Sequence, residues 1–121
     1  MPRRLVIVDS ITEAVTGAVV VSGSHGGVSS GRFALQAAPF AVVFNDAGVG
    51  KDAAGIAALP LLQAVAIAAC TVAHTSARIG DAQSTLEDGQ LTHCNAAAIA
   101  SSANVGMTCR EWIDLIALDD A

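Results

Sequence analysis

Aromatic side chains are almost absent from this chain. It has one tryptophan, three phenylalanines and no tyrosine. Cations are few as well, with six Lys and Arg against eleven Asp and Glu and a net charge of −5. Binding of single-stranded nucleic acid needs stacking faces and a cationic groove, and anionic membranes select for positive charge. Neither partner is expected. Charged residues of either sign make up only 14%, about half the usual share of roughly 25%. So little charge leaves apolar area that a subunit interface would cover, so a homo-oligomer is expected.

Cysteine is sparse and odd in number: Cys70, Cys94 and Cys109. Pro2-Arg3-Arg4 leads into only four apolar residues before Asp9, too short for a secretory apolar region. Reduced thiols and a cytoplasmic location are therefore expected. A zinc site from Cys94, Cys109, His74 and His93 has spacings that match no common ligand pattern, and no metal or cofactor is expected. From Ala53 to Ala73 the only polar side chains are Gln63, Thr and Cys. Ala-rich composition, Gly55 and Pro60 make this stretch read as a buried helix (53–66) followed by a buried strand, not as a membrane span.

What the chain does have is a repeated pattern. An apolar, β-branched run leads into a short polar, Gly-rich loop, and the loop opens a helical stretch. The pattern occurs at Val19-Val20-Val21 into Ser22-Gly23-Ser24-His25-Gly26-Gly27, and again at Val42-Val43-Phe44 into Asn45-Asp46-Ala47-Gly48-Val49-Gly50-Lys51-Asp52. The third version is Thr71-Val72-Ala73 into His74-Thr75-Ser76-Ala77-Arg78-Ile79-Gly80-Asp81. Strands are expected at 5–8, 18–21, 41–44 and 69–73, with a short one at 90–94. Helices are expected at 29–38, at 53–66 with Asp52 as its cap and a kink at Pro60, and from Asp81 to Asp88. A further helix runs from Asn95 towards Asn104-Val105-Gly106, and a last one opens on a Thr108/Glu111 capping box. Strands alternating with helices predict one α/β domain, Rossmann-like, with a mainly parallel sheet of about four to five strands and helices on both faces.

In such a sheet, ligands bind at the carboxyl ends of the strands. His25, between glycines and with little packing to do, is the expected acid/base. Ser22, Ser24, Gly26 and Gly27 would hold substrate around it. Asp46 would orient His25, and Asn45, Gly48, Gly50 and Lys51 would form an anion-binding turn. The turn is not a nucleotide P-loop: Asn45 stands where its first Gly belongs, and Asp52 where its Ser or Thr belongs. In the third loop, Ser76 is a candidate catalytic hydroxyl. Thr75 and Arg78 are candidate binders, Arg78 for a carboxylate or phosphate. An Arg78–Asp81 ion pair is the structural alternative. His74, nearest the strand, is expected to be buried and hydrogen-bonded, and His93, beside Cys94, to be structural.

Val21-Ser22-Gly23-Ser24-His25-Gly26 and Phe44-Asn45-Asp46-Ala47-Gly48 resemble two strand-end turns of the caspase-like fold of metacaspases and CHAT domains. The resemblance covers about half the chain. It implies a three-layer α/β fold with His25 in the site. It also implies that a nucleophilic cysteine should stand at Gly48, where there is no side chain, so cysteine peptidase activity is not expected.

Two functions follow. The first is a small-molecule hydrolase or isomerase acting on an anionic or amide-bearing metabolite, with His25 as acid/base. The alternative is a non-catalytic ligand-binding or scaffold subunit. A metal-dependent hydrolase using His25, His74 and Asp46 lacks a ligand-spacing signature. His25, Asp46 and Arg78 should meet on one sheet edge. Cys70, read as opening a strand, should lie at the other.

Overall fold

Five apolar runs form one sheet: β1 (Leu5–Val8), β2 (Val19–His25), β3 (Ala41–Asn45), β4 (Ala68–Val72) and β5 (Leu91–Cys94). The computed structural model describes residues 3–117. Order across the sheet follows order along the chain, β1-β2-β3-β4-β5. The first four strands are parallel, with Leu5 beside Val19, Val19 beside Ala41 and Ala41 beside Ala68. β5 runs antiparallel to β4. The mainly parallel α/β sheet with helices on both faces is therefore present.

Alternation along each strand builds two cores. Val20, Val42 and Phe44 face α1 (Val28–Ala37) and α2 (Ala58–Gln63), through Ala34, Leu59 and Leu62. Val19, Val21, Val43, Cys70 and Val72 face α3 (Ala82–Asp88) and α5 (Cys109–Ala117), through Leu86, Trp112 and Ile113. The strand residues facing α1/α2 and those facing α3/α5 are nearly solvent-free, so β2, β3 and β4 read as unbroken apolar runs. Two successive crossovers in the same direction leave α1 and α2 on one face, as right-handed connections require. After β4 the chain leaves to the opposite face. A short helix, α4 (Ala96–Ala100), is capped by Asn95, whose Oδ1 accepts from the Ala98 N–H.

Several boundaries differ from expectation. β2 continues through Ser22-Gly23-Ser24 to His25, so the first Gly-rich loop is largely strand. Gly23 N–H donates to Asp9 O, and Gly23 O accepts from Gly80 N–H, giving this segment backbone partners that its own sequence does not signal. The expected helix at 53–66 is only α2, preceded by a tight 3-10 turn at Lys51–Ile56. Asp52 does not cap it, because its φ is +56° and Ala53 has φ +57°. Pro60 produces no kink, since it sits in the first turn of α2, where its missing N–H costs nothing. Helix α4 stops at Ala100, short of Asn104. The capping box is formed: Thr108 N–H donates to Glu111 Oε1 at 2.9 Å, and Glu111 N–H to Thr108 Oγ1 at 3.1 Å. Among the described residues, no helix is long and apolar enough to cross a membrane.

Candidate functional site

Register brings the three loops to one edge. His25 pairs with Asn45, and Asn45 with Val72, at the carboxyl ends of β2, β3 and β4. From there the loops diverge. The loop after β3 turns towards α2 on one face, and the loop after β4 towards α3 on the other. In a parallel sheet, the point where neighbouring connections part in this way is the place where a ligand crevice can form. Asp46 and His74 stand on its two sides.

Asp46 is 4% exposed. Its Oδ1 accepts the Gly48 N–H at 2.8 Å and the His74 N–H at 3.1 Å, and its Oδ2 accepts the Thr92 hydroxyl at 2.9 Å. His74 Nδ1 lies 3.6 Å from the same Oδ1. The His74 side chain is 55% exposed, so the expectation of a buried His74 is corrected. A half-exposed imidazole beside a buried carboxylate is a pairing that a general base can use. Asp46 thus pairs with His74, not with His25. The His25 ring packs against Gly27, where an added Cβ would lie 2.8 Å from its Nε2. It makes no hydrogen bond to any described residue.

Thr92 is the member that sequence reasoning missed. It lies mid-strand in β5 and reaches Asp46 only because β5 pairs antiparallel with β4. Thr92 Oγ1 is also 3.0 Å from Thr71 Oγ1, which lies 3.4 Å from His93 Nδ1. No local pattern announces this cross-strand chain.

The second loop has an unusual backbone. Ala47, Gly48, Val49 and Gly50 all have left-handed φ, between +51° and +75°, and Asp52 and Ala53 repeat it. A β-branched residue such as Val49 at φ +68° is a steric outlier. The run curls the chain so that Gly55 passes against the Asp46 carbonyl oxygen, where a Cβ would collide with it. A Cβ on Gly48 would stand 3.3 Å from His74 Cε1. The expected anion-binding turn does not survive in this form. The Gly48 amide is held by Asp46 Oδ1 and the Gly50 amide by the Gly48 carbonyl. Lys51 is exposed on the flank.

Most of the expected substrate hydroxyls are engaged within the fold. Ser22 is fully buried and donates to Val43 O, and Ser24 Oγ accepts from Ile11 N–H. Ser76 Oγ donates to Ala73 O and accepts from Gln90 N–H, so it pins the loop and is not poised as a catalytic hydroxyl. Asn45 is buried, joining the loops through Nδ2 to Ala77 O and Oδ1 to Ala47 N–H. Gly26 is packed against Gly55 O. Thr75 is exposed, and Arg78 meets Asp81 at 4.0 Å while remaining 82% exposed, so the structural ion pair is present.

Cys70 lies in the middle of β4, not at a strand opening. Among the described residues, no three His, Cys, Asp or Glu side chains gather as a metal site. That includes His25, His74 and Asp46. Two cavities lie away from the crevice. One of about 590 Å³ runs along α1 at Arg32, Phe33 and Gln36, and one of about 350 Å³ lies between Phe40, Ser101 and Leu115. No family model matches the chain, and no curated protein or solved structure shows significant similarity to it.

Proposed function

We propose that this protein binds a small anionic or amide-bearing metabolite at the crevice between the loops after β3 and β4. There it acts by acid/base catalysis, as a hydrolase or isomerase, with His74 in the role first expected of His25. The observation that carries this reading is the buried Asp46 carboxylate aimed at the Nδ1 of a half-exposed histidine. A general base must be reachable by substrate, and the His74 side chain is half exposed beside that carboxylate. His74 would activate water or take a substrate proton directly. No serine or cysteine nucleophile stands within this reading: the Ser76 hydroxyl is already bonded on both sides, and Gly48 occupies the position where the caspase-like resemblance would require cysteine. Lys51 and Arg78, exposed on the two flanking loops, supply the charge to attract an anion.

The second reading is a non-catalytic ligand-binding or scaffold subunit. It is favoured by the saturation of the Gly48 and Gly50 amides, which leaves these loop groups no free donor for a substrate. A thermal-shift screen of small carboxylates, phosphates and amides separates the two. The catalytic reading expects a ligand that stabilises the wild type, and turnover of it or a close analogue that His74→Asn removes. A stabilising ligand with no turnover, and binding unchanged in His74→Asn, would leave the scaffold reading.

A further inference from the structure

Strands β4 and β5 carry two cysteines that the acid/base reading does not use. Cys70 and Cys94 are direct cross-strand partners in the antiparallel pair. The flanking bond runs from Asn95 N–H to Ala69 O at 3.0 Å, so Cys70 and Cys94 occupy a non-hydrogen-bonded position. At such a position Cα atoms lie about 4.5 Å apart and side chains approach most closely. That separation falls within the roughly 4.4–6.8 Å window a disulfide needs. Direct partners also project from the same sheet face: Cys70 belongs to the core around Trp112, and Cys94 packs against that core.

Their exposures differ. Cys70 is fully buried and Cys94 is only partly so, on a strand at the sheet's edge. A dissolved oxidant therefore meets Cys94 first. We propose that Cys94 and Cys70 form a peroxide-responsive thiol pair, in which Cys94 is oxidised by a hydroperoxide and Cys70 resolves it as an intramolecular disulfide. The Cys94 thiolate sulfur attacks one peroxide oxygen, the O–O bond breaks, and Cys94 becomes a sulfenic acid while the departing oxygen takes a proton and leaves as water or an alcohol. The Cys70 sulfur then displaces hydroxide from the sulfenic sulfur, the Cys70 proton completes a second water, and the S–S bond is formed. The two thiols lose two electrons in total, and the peroxide gains them.

The electrostatics agree with this division of labour. The neighbouring Cys70 thiol holds Cys94 below the ordinary thiol range against the opposing effect of burial. Burial first, and then the same contact, drive Cys70 far upward. Cys94, not Cys70, is therefore the thiol of the pair that ionises more readily to meet the peroxide. Cys109, buried at the start of α5, is pushed by burial up to about 12, which makes it a poor competitor for peroxide. The inference is independent of the acid/base reading.

The test is a non-reducing peptide map of the wild-type protein after treatment with a few equivalents of hydrogen peroxide. The expected product has lost two hydrogen masses, contains a Cys70–Cys94 cross-linked peptide, keeps Cys109 as a free thiol, and reverts with dithiothreitol. Cys94→Ser should abolish the cross-link, and Cys109→Ala should retain it. Since the wild-type map needs no variant, a misfolded substitution does not affect the result. Oxidation of Cys94 to sulfinic acid without a bridge, a bridge that includes Cys109, or no thiol loss at tenfold excess peroxide would each overturn the proposal.

Discussion

Asp46 engages His74 twice: one carboxylate oxygen accepts the His74 main-chain N–H at 3.1 Å and lies 3.6 Å from the ring Nδ1. The first contact ties down the turn that follows β4, and the second places the carboxylate beside the ring. A single buried carboxylate therefore joins the loops after β3 and β4, and Thr92 ties β5 to the same group.

The two residues should separate when mutated. His74→Asn removes a half-exposed ring, and surface changes of this kind usually cost less than about 0.5 kcal/mol. It should leave the melting temperature nearly unchanged. If His74 is the general base, the variant lowers turnover by about 10²–10⁴. Asp46→Asn places an amide NH₂ among donors that a carboxylate had accepted, and hydrogen bonds to charged groups contribute about 1.5–3 kcal/mol each. It should lower both stability and activity. Chemical denaturation of the two variants checks this: equal destabilisation would mean that His74 is a packing residue.

The left-handed run offers a stability test in the opposite direction. Val49 has φ +68° with its neighbours Gly48 and Gly50 also left-handed. For a residue with a Cβ this conformation costs roughly 1–2 kcal/mol. Glycine removes that cost but adds about 0.5–1 kcal/mol of unfolded-state entropy. The balance favours Val49→Gly by a few tenths to about 1 kcal/mol, read as a higher melting temperature. A marked loss of stability would show that the Val49 side chain contributes packing that outweighs its backbone strain.

The strands were legible in the sequence because β2, β3 and β4 are buried on both faces, so Val19-Val20-Val21 and Val42-Val43-Phe44 stand out as apolar runs. Asn95, Asp81 and the Thr108/Glu111 pair were legible because a helix cap is local chemistry. The end of β2 was not. Ser22-Gly23-Ser24 has turn-like composition, and it becomes strand only because Asp9 and Gly80, distant in sequence, supply its backbone partners. His74 was misread for a related reason. Proximity to an apolar strand suggested burial, but the strand ends at Val72 and the chain turns outward at the sheet edge. Thr92 could not be found at all, because nothing near residue 92 encodes the antiparallel direction of β5.

Glu111 provides a pH test of the capping box. Hydrogen bonds from the Thr108 main chain and hydroxyl hold its carboxyl below the ordinary 4.5. A carboxyl whose pKa is lowered by folding contributes stability that is fully present above its unfolded value and is lost as pH falls through the folded one. Glu111→Gln should therefore melt below the wild type at pH 7, and the gap should narrow as pH drops under 4.5. A gap that is constant from pH 7 to pH 3 would mean that the Glu111 charge plays no part in opening α5.

Self-association is the remaining expectation, and the exposed apolar side chains say where to look for it. The apolar faces of α4 and α5 are spent internally: Trp112 is 0%, Ile113 2% and Ile116 5% exposed, and Ala98 is fully buried. Leu5 and Ile7 are 38% and 40% exposed. They lie on β1, a strand at the edge of the sheet, in register with Val19 and Val21. An edge strand with free main-chain groups beside uncovered apolar side chains is a template for another chain. Two copies meeting antiparallel through β1 would close a two-fold dimer, the commonest arrangement. Sedimentation at micromolar concentration should then show a species heavier than the 12.1 kDa chain, and Ile7→Lys, which sets like charges against each other across the two-fold, should return it to monomer without lowering its melting temperature. A wild type that sediments as a monomer, or an Ile7→Lys variant that remains a dimer, would show that β1 is not the contact.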